Sequence, residues 1–130
     1  MEVDVLSLDI NVEEFRKFKK SEDQGPVVML NLLKFKPDGG AQRYGRYASQ
    51  VEKMVTDRGG KTVYAGLAGE LLTGSEEWDA VLLVRYPSRQ AFLDMIKSAE
   101  YQKAHKDREA ALERAVLYET RPGDLRSMGV

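Results

Sequence analysis

Val27 to Phe35, VVMLNLLKF, constrains this chain more than any other stretch, because seven of its nine residues are apolar. Its length and β-branching read as a strand. One face would carry Val27, Met29, Asn31, Leu33 and Phe35, the other Val28, Leu30, Leu32 and Lys34. Both faces are mostly apolar, so both sides of the sheet that holds this strand must be covered.

A second stretch, Leu82 to His105, repeats the theme and adds helices. Trp78 to Tyr86 reads as a strand that stops at Pro87. Ser88 then caps a helix whose apolar stripe is Ala91, Phe92, Met95 and Ile96, and Ser98 opens another over about 99–113 that carries the single histidine.

Between these stretches, Arg43 to Arg58 places Tyr44, Tyr47, Val51, Met54 and Val55 on one helical stripe, ended by Gly59-Gly60. Lys61 to Thr73 reads as a strand with interior glycines Gly66 and Gly69, which suggest a bend or bulge. GSEE, 74–77, would turn it into a hairpin with the next strand. Ala115 to Thr120 is the last strand. Asn11 with Glu14 fits a capping box, and Ile10 with Phe15 a hydrophobic staple, for a short helix over about 11–20. The expected layout is an N-terminal helical extension (1–24), a domain (25–122) and a mobile tail (123–130).

The order after the extension is β-α-β-β-α-β. This predicts an α+β, ferredoxin-like fold: a four-stranded antiparallel sheet with helices on one face. Helices on one face leave the other apolar face bare. The simplest cover is a second copy of the chain, giving a homodimer, since monomers seldom expose large apolar patches. A monomer shielded by its N-terminal segment is the alternative.

Charge narrows the partners. The chain has 20 basic and 21 acidic residues and no basic block, so it lacks the footprint of a nucleic-acid binder. The absence of cysteine excludes disulfides and thiolate chemistry. The N-terminal stretch lacks a signal peptide's basic start and apolar run, and no apolar stretch approaches the ~20 residues of a membrane span. The expectation is a soluble, cytoplasmic protein with no membrane partner.

VVMLNLLKF, Tyr44 with Tyr47, Gly59-Gly60, Glu77-Trp78-Asp79 and YPSRQAF…SAEYQ occur in an order that resembles the DUF1330 family over about residues 25–122. That resemblance implies the dimeric α/β-barrel superfamily and no established reaction. The superfamily includes cofactor-free monooxygenases, haem-degrading monooxygenases and lactone isomerases, with a pocket between sheet and helices. By the same resemblance, Asn31 matches a strand asparagine that orients reactants, and His105 matches the axial histidine of small haem-degrading members. Tyr86 stands where those haem enzymes have tryptophan, which argues against haem.

The residues themselves give these candidates. Asn31 is an amide in an apolar strand and must find partners; it either orients a ligand or bonds to nearby backbone. His105 shares a helical face with Tyr101 and Arg108 and is a candidate proton shuttle, although a surface or capping histidine is the plainer expectation. Arg85 would hold an anionic substrate, or pair with Glu70 across the hairpin. Tyr44, Tyr47, Tyr64 and Tyr86 are candidate pocket walls, with core packing as the alternative. Trp78 is a substrate-contact candidate or a packing anchor. No GxSxG, P-loop, GxGxxG or HExxH motif is present, and neither a resident cofactor nor a metal is expected.

Three functions remain. The first is a small-molecule-binding homodimer acting as a cofactor-independent oxygenase or isomerase on an aromatic or oxygenated substrate. The others are a non-catalytic binding or stress-associated module, and a haem-binding monooxygenase.

Overall fold

A computed structural model of the protein describes residues 10–129. The expectations placed on residues 1–9 and on Val130 lie outside them. Helix α1 spans Val12–Lys20, strand β1 Val27–Phe35, helix α2 Gly40–Asp57, strand β2 Lys61–Leu67 and strand β3 Ala80–Tyr86. Helix α3 spans Arg89–Lys97, helix α4 Ala99–Ala111 and strand β4 Leu112–Thr120. The strands form one antiparallel sheet in the order β2-β3-β1-β4. This is the ferredoxin-like α+β arrangement, with β1 at the centre as its apolar sequence requires.

The strand parities separate two environments. Val27, Met29 and Leu33 are at most 3% exposed and pack beneath the helices with Tyr86, Phe92, Met95, Ile96 and Tyr101. On the other parity Val28, Leu30 and Leu32 are only half-buried, as are Val81, Leu83 and Val116 beside them. The helices therefore cover one sheet face and leave an apolar face open.

Several boundaries differ from the sequence expectation. β2 ends at Leu67, not Thr73, and β3 begins at Ala80, not Trp78. Asp79 explains the early break at β3: one carboxylate oxygen accepts the Phe35 N–H at 2.8 Å and the other lies 3.3 Å from Lys34 Nζ. The Phe35 amide bond, with help from Lys34, holds the Asp79 carboxyl below its ordinary range. The Arg85–Glu70 pair does not form, for a reason of register: Arg85 lies opposite Lys61, and Leu67 opposite Ala80, so Glu70 is at the far end of the ladder.

α2 begins at Gly40 rather than Arg43, and α4 gives way to β4 without a loop, at Leu112 rather than Ala115. Leu112 is 1% exposed, and the Ala111 carbonyl accepts the Lys36 N–H at 2.8 Å, which ties this junction to the end of β1. Asn11 occupies the N-cap of α1 but its side chain makes no capping bond. Glu14 lies 3.3 Å from Lys17 instead of completing a box. The C-terminal segment carries a 3-10 turn over Leu125–Met128, capped reciprocally by Asp124 and Ser127.

The α2–β2 corner depends on two glycines. Gly59 has φ +81°, where an L side chain is strained. At Gly60 a Cβ would sit 2.5 Å from the Arg85 carbonyl oxygen.

Ser98 makes the corner between α3 and α4. Its hydroxyl donates to the Met95 carbonyl at 2.7 Å and accepts the Tyr101 N–H at 3.1 Å. Ser98→Ala loses both bonds and is expected to cost roughly 1–2 kcal/mol, measurable as a lower urea midpoint with an unchanged slope.

Candidate functional site

A cavity of about 220 Å³ lies between the sheet and the helices. Its floor is made where three strands pair: Asn31 of β1 lies opposite Leu82 of β3 and Leu117 of β4. Asn31 has the same parity as Val27, Met29 and Leu33, which turns it toward the helices. Its Nδ2 donates to the Met29 carbonyl at 3.3 Å. That bond satisfies part of the amide and leaves the side-chain oxygen to the cavity.

The opposite wall is the stripe of α2, where helical spacing brings Tyr44, Tyr47, Ala48, Val51 and Val55 to one side. Tyr101 of α4 and Tyr86 of β3 complete an aromatic lining. The Tyr44 and Tyr47 rings are 5.2 Å apart, and the Tyr47 and Tyr101 rings 6.0 Å apart, close to edge-on. The Tyr47 and Tyr101 hydroxyls share a hydrogen bond of 2.8 Å. Burial, more than any neighbour, pushes the tyrosine hydroxyls up: Tyr101 to about 12, and Tyr44, Tyr47 and Tyr86 further above their ordinary range. At neutral pH these are uncharged hydroxyl donors. Glu52 and Thr62 border the same cavity and are exposed, which places its mouth between α2 and β2.

Among the described residues, the one cationic side chain in the lining is Arg108. It lies one turn beyond Ala104 on the buried stripe of α4, which runs Tyr101, Ala104, His105, Arg108 and Ala111. It is 4% exposed. Its place on that stripe is legible from spacing alone, seven residues after Tyr101, although the sequence reading gave it no role.

Of the residues singled out in the sequence, Asn31, Tyr44, Tyr47 and Tyr86 meet at this cavity. Arg85 and Tyr64 point to the open face: Arg85 is in register with Val28, and Tyr64, 55% exposed, with Leu83. Trp78 precedes β3, with the Arg114 guanidinium 4.1 Å above its ring.

His105 is neither a surface nor a capping residue. It is 4% exposed, its ring centroid 5.9 Å from that of Tyr101 and its Nε2 3.5 Å from the Glu109 carboxylate. Burial holds its pKa below the ordinary imidazole value, and the Glu109 carboxylate works in the opposite direction. It does not line the cavity. A haem whose iron was held by His105 would therefore lie away from the cavity, and the donor arrangement does not fit that group. Among the described residues no cluster of three or more His, Asp or Glu could hold a metal ion, and no helix is long and apolar enough to cross a membrane.

The fold and the cavity together define a ferredoxin-like α+β protein with a tyrosine-lined internal cavity on the helix side of its sheet. The chain belongs to the DUF1330 family, a domain of unknown function, which matches residues 39–119. A protein of unknown function from Rhodopseudomonas palustris is 32% identical, with a TM-score of 0.82 over 90% of this chain and 97% of that one. A dimeric ferredoxin-like protein of unknown function from Jannaschia sp. CCS1 shares the fold at 12% identity, with a TM-score of 0.63 over 75% of this chain and all, 100%, of its own. A candidate antibiotic biosynthesis monooxygenase from Caulobacter crescentus CB15 shares it at 15% identity, with a TM-score of 0.55 over 78% of this chain and 92% of that one. No curated protein matches the chain.

Proposed function

We propose that the protein is a homodimer in which each protomer takes a small, partly apolar, oxygenated or aromatic molecule into the cavity and acts on it as a cofactor-independent oxygenase or isomerase. The observation that carries this reading is one cavity lined by both Asn31 and tyrosines whose hydroxyls stay neutral. Fixed neutral donors in a water-poor site suit an oxygen atom on which negative charge develops, as in an enolate or phenolate. The volume, about 220 Å³, is below the ~300–1,000 Å³ of sites for drug-sized ligands, so the substrate is small. The Caulobacter protein's assignment concerns that protein, and it names the reaction class to test first.

The dimer rests on the open sheet face. Leu30, Leu32, Val81, Leu83 and Val116 form its apolar centre, with Tyr64 and Tyr118 exposed at 55% and 66%. A second copy laid on that face would give a barrel of two sheets. In the same reading residues 25–122 are the ligand-binding domain. The N-terminal extension braces it: Phe18 of α1 packs edge-on against Phe92 of α3, with ring centroids 5.7 Å apart.

Ala48→Phe puts a ring into the cavity from its wall. In a thermal-shift screen of small phenols, quinols and lactones, at least one compound should raise the wild-type melting temperature by mass action. The variant should lose that shift while remaining folded. A screen with no wild-type response, or equal responses in both proteins, overturns the cavity reading.

A further inference from the structure

Among the described residues Arg108 is the one cation on the cavity wall, and none of their carboxylates pairs with it. It is 4% exposed. Its neighbours on α4 are otherwise engaged: Asp107 with Arg43 at 3.0 Å, and Glu109 with His105 at 3.5 Å. Among the described residues no carboxylate lies within ion-pair distance of its guanidinium and no side-chain hydrogen bond is made by it.

A second groove, of about 410 Å³, lies under α1 and shares Met29, Phe92, Arg108 and Leu117 with the cavity. Its carboxylates are Glu14 and Glu119. Glu14 is 3.3 Å from Lys17, and Glu119 is held by Arg89. Neither reaches Arg108. Arg108 is largely withdrawn from bulk solvent, and the space its guanidinium can still reach is the cavity and the groove, so a charge there without a carboxylate partner is costly unless a ligand answers it.

We infer that the cavity binds an anion, with Arg108 as its counter-charge, and that the ligand is a small monocarboxylate with an apolar or aromatic body. This rests on the reading that the cavity takes a ligand, and adds the ligand's charge. The chemistry favours a carboxylate over a phosphate. A single guanidinium matches one carboxylate as a two-pronged donor, whereas the cavity offers a dianion no second cation. The Tyr44, Tyr47 and Tyr101 hydroxyls lie close enough to Arg108 to feel its charge, and remain neutral donors beside it. The apolar wall of Met29, Val51, Leu82, Val84 and Leu117 receives the body of the ligand.

The test compares phenylacetate with phenylacetamide, which has nearly the same shape without the charge, by calorimetric titration of the full-length protein. Wild type should bind the acid at least tenfold more tightly than the amide. Arg108→Gln should bind the two equally, and Arg108→Lys should keep part of the preference. Circular dichroism checks that each variant folds; if Arg108→Gln does not, the wild-type comparison and Arg108→Lys decide. Equal wild-type affinities overturn the anion assignment and leave the ligand cavity standing. Binding of neither probe overturns both. A preference that survives in folded Arg108→Gln overturns the role of Arg108.

Discussion

Glu119→Ala is expected to destabilise the protein by about 3 kcal/mol, the lower end of the cost of stranding a buried charge. The charge left behind belongs to Arg89, 4% exposed, whose Nη2 holds Glu119. Arg89 keeps a 3.1 Å bond to the Asp23 carbonyl, the Asp23 carboxylate at 3.8 Å and a cation–π contact with Phe18, 5.6 Å from the ring centroid. These remaining contacts are why the loss should not reach the upper end. The reverse change, Arg89→Met, should cost less. It strands Glu119, which is 23% exposed and still has Arg121 at 3.8 Å. The double variant Glu119→Ala/Arg89→Met removes both charges and should recover most of the loss. Urea unfolding of all three variants checks this. Equal costs for the two single changes, or a double variant as unstable as their sum, would show that the bridge is not coupled in this way.

Leu83→Asp should turn a dimer into a monomer. Leu83 sits on the open face of β3, in register with Leu30 on one side and Tyr64 on the other. An aspartate there stays solvated in the monomer, so folding should change little. In a face-to-face dimer it would be buried against the apolar centre of the second sheet. Burying an unpaired carboxylate costs several kcal/mol, which corresponds to a dissociation constant raised by roughly 100-fold or more. Sedimentation equilibrium reads this directly. A wild-type monomer, or a variant that dimerises as tightly as wild type, would sink the proposed interface.

The sheet was legible in the sequence because β1 is apolar on both parities, and a strand of that kind has few places to go except the centre. The helices followed from stripes such as Tyr44, Tyr47, Val51 and Val55, which one period accounts for. The turn between β2 and β3 was legible in GSEE, 74–77, but the full length of the break, from 68 to 79, was not. Leu71, Leu72 and Trp78 extend the apolar pattern of the two strands toward the turn, while the Phe35 amide is taken by the side chain of Asp79, 44 positions away, a contact no local pattern encodes. The site shows the same division. Asn31 stood out as a polar residue in an apolar run. His105 drew attention for its chemistry, whereas position on the helix decides which side chain meets the cavity, and three residues further on that side chain is Arg108. Arg85 failed as a Glu70 partner because pairing depends on register, which composition does not reveal.

The Arg114 guanidinium over Trp78 bears on how the protein can be watched. Trp78 is the only tryptophan, and it lies at the end of the sheet beneath a cation, not at the cavity wall. Its emission therefore reports on the 68–79 segment and the start of β4. A ligand entering beside Asn31 should leave that emission unchanged and register instead in the tyrosines, so the protein's brightest intrinsic signal is optically deaf to its own cavity.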